Sequence, residues 1–160
     1  MPKKTLPVVD KKIPENLYRK IHRYLPLVCT DVVIVGKSKG EKHFLLVKRG
    51  NEPEKGKWWF PGGRIFKNEL LKDAALRKTK QETGLKPTKL REMGLYEYFS
   101  PVGYYKGTNS HMLAIVYRAE VNIRESIILD SQSLDSRWFQ EIDPRWHPYV
   151  KEFLRKGGFR

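Results

Sequence analysis

The spacing of apolar positions changes several times along the chain, and each change predicts an element. Residues 1–13 are rich in proline and lysine without a period, and read as an extended arm. In ENLYRKIHRYL the apolar residues Leu17, Ile21 and Leu25 recur at every fourth position. That spacing predicts a short helix, opened by Pro14 and stopped before Pro26. VVIV (32–35) and HFLLVKR (43–49) are apolar runs joined by a Gly/Ser/Lys turn, the pattern of a hairpin. NEPEKGK (51–57) reads as a loop, and WWFPGGR (58–64) as a short strand ending in glycines. From Leu70 to Thr83 the period becomes helical, with Leu71, Ala74, Ala75 and Lys78 on one side and Gly84 as the C-cap.

The chain then returns to strand in KPTKLREMGLYEYFS (86–100), turns through GYYKGTNS (103–110), and enters a strong strand, HMLAIVYRAEV (111–121). SIILDSQSLDSRWFQ (126–140) reads as a loop followed by a strand end, and HPYVKEFLRKGG (147–158) as a terminal helix. Strands interleaved with helices in this order predict an α/β fold, a mixed sheet between helices, as a single domain over residues 14–160.

Composition narrows the partners. An apolar fraction of 39% suffices for a core, and a formal charge of +14 attracts phosphate-bearing partners: nucleotides, nucleic acid or anionic membrane. A lysine-rich surface of a heat-adapted protein explains the charge equally well. The basic residues are spread, with no run of five Lys/Arg, which argues against a nucleic-acid tail. The single cysteine, Cys29, lies in an apolar run with no base nearby in sequence, and reads as a buried, inert thiol in a reducing, cytoplasmic compartment. No apolar stretch reaches 18 residues, and the N-terminus lacks the apolar core of a secretory signal. Trp58 and Trp59 suit core packing for at least one of them. His22, His43 and His147 have no metal-ligand spacing and read as surface residues.

The chemistry concentrates at the glycine loop and the helix after it. Gly62-Gly63 lets backbone approach a ligand closely. Glu82 follows Lys78 by four residues and Ala75 by seven, on the same helix face. A carboxylate near a helix C-terminus is disfavoured by the macrodipole by a few tenths of a kcal/mol, and Lys78 is its sequence-local partner. Gly63, Glu69, Arg77, Glu82, Gly84 and Leu85 stand at the spacing of the Nudix box, G-x5-E-x7-R-E-U-x-E-E-x-G-U, and the segment resembles that family. The resemblance extends over most of residues 25–155 and implies the Nudix fold, an α/β/α sandwich. Three positions depart: Lys78 replaces the Glu after the Arg, Thr79 an aliphatic residue, and Gln81 the first of the paired Glu. Two carboxylates fewer and one ammonium more make a multi-metal site much less favourable.

An altered box that keeps only the second Glu resembles the GDP-mannose mannosyl hydrolase branch. So does Pro26-Leu27-Val28-Cys29-Thr30-Asp31, of that branch's PLVxxD type. The resemblance implies one magnesium ion (manganese can replace it) on the substrate diphosphate, held by the Gly62 carbonyl, Glu82 and Gln132. It implies water attack at the sugar carbon. Arg49 and Arg64 would face the phosphates, where guanidinium matches phosphate oxygens in a fork. Arg77 would tie loop to helix through box carboxylates, Glu69 would be structural, and Asp31 would contact the sugar.

The branch has a histidine base after its loop glutamine. Here that residue is Ser133, which has no useful basicity near neutral pH. His111, Asp130 and Asp135 stay open for the role. Met112 stands where the branch has a phosphate-contacting tyrosine, and Tyr104 or Tyr105 can substitute or stack on a base. The expectation is a magnesium-dependent hydrolase of nucleoside-diphosphate sugars such as GDP-mannose, forming a homodimer. The alternatives are a pyrophosphohydrolase of ADP-ribose or nucleoside triphosphates, or a catalytically weak nucleotide- or RNA-binding module.

Overall fold

A computed structural model describes residues 6–160. Residues 1–5 of the expected arm lie outside the described residues. The rest of it runs beside the loop before the second helix, with a Val9–Lys67 bridge and an Asn68 Nδ2 to Pro7 carbonyl hydrogen bond of 2.8 Å.

The elements are α1 (Glu15–Tyr24), β1 (Leu27–Ser38), β2 (Glu41–Arg49), β3 (Trp58–Trp59), β4 (Gly62–Arg64), α2 (Leu71–Thr83), β5 (Lys89–Ser100), β6 (Ser110–Glu120), β7 (Ser133–Phe139) and α3 (Pro148–Lys156). The sheet runs β3-β2-β1-β6-β5, with β4 on β1 and β7 on β2. β1 and β6 pair in parallel and the other pairs are antiparallel, so the sheet is mixed as expected. The β1–β2 hairpin closes through Lys39-Gly40, both at positive φ, which suits the twist of a two-residue turn.

β1 carries apolar residues on both faces because both faces are covered. Val33 and Val35 join Phe44 and Leu46 of β2 against Tyr149, Val150, Phe153 and Leu154 of α3. Val32, Ile34 and Leu45 point the other way, toward Ala75 of α2 and Leu85. Phe44 is fully buried, with Phe159, Phe139 and Trp146 rings at 4.7, 5.9 and 5.9 Å. Phe44→Ala is therefore expected to cost roughly 3–5 kcal/mol, read from urea denaturation. A loss below about 1 kcal/mol would mean that the site collapses to fill the cavity.

Some elements differ from the sequence reading. β1 begins at Leu27 rather than Val32, because β4 and β6 both supply it with backbone partners. Leu17 in α1 and Leu25 just after it are exposed, at 49% and 59%, and no residue of the helix is fully buried. The helix instead packs through Tyr18 and His22 onto Tyr104 and Tyr105 of the β5–β6 loop. The His22 ring is stacked on Tyr104 at 5.6 Å and edge-on to Tyr105 at 5.2 Å. His22 is thus half-buried rather than a surface residue. His147 is not free on the surface either: its Nδ1 accepts the Tyr149 N–H at 3.1 Å and caps α3. His43 is half-buried in β2. Leu71 is 38% exposed; the buried face of α2 is Ala74, Ala75, Lys78, Thr79, Glu82 and Thr83. Trp59 is in the core, and Trp58 packs at its margin. No helix among the described residues is long and apolar enough to cross a membrane.

Candidate functional site

β4 lies antiparallel on the first half of β1, with Gly62 opposite Asp31 and Gly63 opposite Thr30. Neither glycine needs positive φ; both are required by close approach. A Cβ on Gly62 would lie 2.0 Å from Asp31 Oδ1 and 2.4 Å from the Thr30 carbonyl. A Cβ on Gly63 would lie 2.7 Å from Lys78 Cε. The bare loop lets the β1 carboxylate and the α2 ammonium reach the same place.

On α2, one turn separates Lys78 from Glu82, and their charged atoms meet at 2.8 Å with side chains 10% and 6% exposed. The other Glu82 oxygen accepts the Gly62 N–H at 3.0 Å. Burial raises the Glu82 pKa against the opposing pull of Lys78. Arg77 reaches back to the loop. Its Nε and Nη2 donate to the two Glu69 oxygens at 2.6 and 2.8 Å, and Nη2 also donates to the Arg64 carbonyl at 3.1 Å. Burial opposes ionisation of Glu69, but the Arg77 hydrogen bonds hold its carboxyl below the ordinary value.

Above this floor opens a cavity of about 600 Å3. Its wall brings together Asp31, Arg49, Gly62, Gly63, Arg64, Lys78 and Gln132, from five segments of the chain. Arg49 is oriented by its Nε donating to the Pro53 carbonyl at 2.7 Å. The mouth is aromatic: Tyr18 and His22 from α1, and Tyr104 and Tyr105 from the loop. Arg64 lies 5.7 Å from the Tyr18 ring centre and 5.1 Å from that of Phe66.

His111 is not on this wall. Side chains alternate along a strand; Met112 and Ala114 line the cavity, so His111 turns to the other face. There it stacks on Phe99 at 4.4 Å and meets Glu97 at 3.0 Å. Asp130 and Asp135 are not on the wall either. Asp130 accepts the Gln132 N–H at 3.1 Å in the loop before β7, and Asp135, within β7, accepts the N–H of its neighbour Ser136 at 2.8 Å. Glu82 sits behind Lys78.

The sequence reading missed Tyr149, whose hydroxyl donates to Asp31 Oδ2 at 2.8 Å across 118 residues of chain. The available signal was its place on the inward face of α3, since a buried tyrosine hydroxyl needs a partner. Burial pushes the Asp31 pKa up to about 6, against the Tyr149 hydrogen bond and the Arg49 charge that favour the carboxylate. Burial also pushes the Cys29 thiol up to about 12, with Asp31 adding to the shift. Cys29 is expected to resist a thiol-specific chromogenic reagent in the native protein and to react at once in guanidinium. Native reaction as fast as the unfolded would contradict its burial.

A mixed sheet between helices, with a glycine loop clipped to the following helix by an Arg–Glu fork, defines a Nudix domain. The NUDIX domain family model matches residues 27–156, and the chain belongs to the Nudix family. It is 33% identical over 144 residues to the low-salt glycan biosynthesis protein Agl8 of Haloferax volcanii, covering 89% of each chain. It is 35% identical over 112 residues to an ADP-ribose pyrophosphatase of Methanocaldococcus jannaschii, spanning 69% of this chain and 61% of that protein. The MutT Nudix hydrolase of Burkholderia pseudomallei superposes with a TM-score of 0.64 at 21% identity, over 82% of this chain and 97% of that one. The Nudix domain of Shewanella oneidensis NrtR, complexed with ADP-ribose, gives 0.60 at 21% identity, over 89% and 88%.

Nudix hydrolases generally use divalent metal ions, so the donor set here is informative. No three His, Cys, Asp or Glu side chains converge among the described residues. The buried box carboxylate, Glu82, has one oxygen on an ammonium and the other on a backbone N–H. A bound dication needs several oxygen ligands and net negative charge. Gly62, Glu82 and Gln132 as arranged, with the Lys78 ammonium on Glu82, do not fit a metal held by the protein itself.

Proposed function

We propose that this Nudix domain hydrolyses a nucleoside diphosphate linked to a sugar, releasing the nucleoside diphosphate by water attack at the sugar carbon. The observation that carries the reading is the cavity wall. Two guanidinium groups and an ammonium face a carboxylate that burial leaves half-ionised near pH 6. Arg49 and Arg64 hold the diphosphate by forked hydrogen bonds and stabilise its charge as it leaves. Asp31, positioned by the Tyr149 hydroxyl, lies where the sugar enters and accepts the proton of the attacking water. The aromatic mouth, Tyr18 with Tyr104 and Tyr105, stacks the base. Agl8, named for glycan biosynthesis, supports a sugar-linked substrate.

A second reading, a pyrophosphohydrolase cutting at phosphorus, is favoured by the similarity to an ADP-ribose pyrophosphatase. Hydrolysis of nucleoside-diphosphate sugars and ADP-ribose in oxygen-18 water separates the two. The proposal expects label in the sugar hydroxyl and none in phosphate. Label in phosphate, with a nucleoside monophosphate product, selects the second reading.

A further inference from the structure

The position after the box arginine carries a lysine, and its side chain is buried rather than solvated. Lys78 is 8% exposed, and Glu82 is 4% exposed. An ammonium costs several kcal/mol to bury unless it is paired, and one carboxylate is its partner at 2.8 Å. The pairing is built in from two sides. The i,i+4 spacing on α2 brings the charges together, and the missing Cβ of Gly63 leaves room for Lys78 Cε and Nζ, which would otherwise stand 2.7 and 3.0 Å from it. The ammonium therefore lies against the glycine loop, beside a carboxylate and on the wall of the cavity that Arg49 and Arg64 also line. It carries three N–H donors, of which Glu82 takes one.

We propose that Lys78 is the resident cation of this loop. Its ammonium supplies the positive charge that a divalent ion would otherwise bring, and a diphosphate binds directly to Lys78, Arg49 and Arg64 without a metal ion. The proposal rests on the nucleotide reading above for its ligand and on the Lys78–Glu82–Gly63 geometry for its charge. Exchanging Lys78 for a carboxylate changes the local charge by two units and turns a cation-repelling floor into a cation-binding one. Exchanging it for arginine keeps the charge.

The experiment has two arms, both by calorimetry on the full chain, with melting curves to confirm that each variant is folded. In the first, Mn2+ alone is titrated into the wild type and Lys78→Glu. The wild type is expected to show no binding below millimolar concentration, and Lys78→Glu to bind at least tenfold more tightly. Wild-type binding of Mn2+ in the micromolar range overturns the resident-cation assignment. In the second arm, ADP and GDP are titrated in EDTA and in magnesium. Wild-type affinity is expected to agree within about twofold between buffers. Lys78→Gln should weaken metal-free binding at least tenfold, and Lys78→Arg should retain most of it. Wild-type binding that appears only with magnesium, or Lys78→Gln binding equal to wild type, overturns the proposal. Failure of both nucleotides in both buffers overturns the nucleotide reading and the ligand half of the proposal, while the Mn2+ arm still decides the charge half.

Discussion

Arg77→Met is expected to cost roughly 3–5 kcal/mol of stability. Three of the Arg77 hydrogen bonds go to Glu69 and to the Arg64 carbonyl, at 2.6 to 3.1 Å, and a fourth goes to Gln81 at 3.2 Å. The guanidinium also lies 3.8 Å from the centre of the Phe66 ring. Glu69 is 6% exposed at its side chain and accepts the Phe66 N–H at 2.9 Å as well. Removing the arginine leaves that carboxylate buried without its cation, and leaves the Gly62 N–H to Glu82 hydrogen bond to hold the glycine loop on α2. Arg77→Lys keeps the charge but replaces a planar fork by a point donor, so about half the loss is expected. Because Arg77 holds the Arg64 carbonyl, the variants should also raise KM, as the Arg64 side chain loses its anchor.

Acid titration adds an independent readout of the same contact. Glu69 is more acidic in the folded chain than its ordinary value of 4.5. Its contribution is therefore complete above that value and lost as pH falls through the lower folded pKa. The wild type should lose stability on acidification below about pH 4.5, and Arg77→Met should lose less over that window. An unchanged urea midpoint in Arg77→Met would show that the fork adds nothing to the fold.

The layered fold was legible because its signals are local. β1 and β2 are continuous apolar runs, α2 has a helical period closed by Gly84 at φ 74°, and the box spacing spans only 23 residues. The exceptions share a cause. α1 has apolar residues at spacing four, yet it rides on the tyrosines of a loop more than eighty residues later, and periodicity does not report a partner that far away. His111 attracted attention as a titratable residue opening a strand. One residue of strand phase separates the cavity face from the outer face, and Met112 has the inward phase. Lys78 was visible as a departure from the box, but its burial is set by Gly63 and by the depth of Glu82, neither of which sequence spacing reports. Tyr149 was unreadable as a partner of Asp31 because α3 is brought to β1 only by the packing of the whole sheet face.

Asp31→Asn is expected to abolish turnover, by at least a hundredfold, and at the same time to stabilise the protein above pH 6. The two effects come from one circumstance, a carboxylate held in a place that disfavours its charge. The folded pKa is about 6 against an ordinary value of 3.8. Between those values the native state binds more protons than the unfolded chain, so stability declines as pH rises through the window and levels off above it. The charged form then costs on the order of 2–3 kcal/mol near pH 7.5. Asparagine is nearly isosteric, can still accept the Tyr149 hydroxyl proton, and cannot ionise. Its variant should show a urea midpoint that falls less between pH 4.5 and 7.5 than the wild type's, the difference being the Asp31 contribution. The wild-type kcat/KM profile should in turn show an acidic limb near pH 6, as the base becomes protonated. A variant that melts below wild type at pH 7.5 would show that the charged carboxylate is stabilised by Arg49 and Tyr149 more than burial penalises it. A variant that keeps its turnover would remove Asp31 from the reaction.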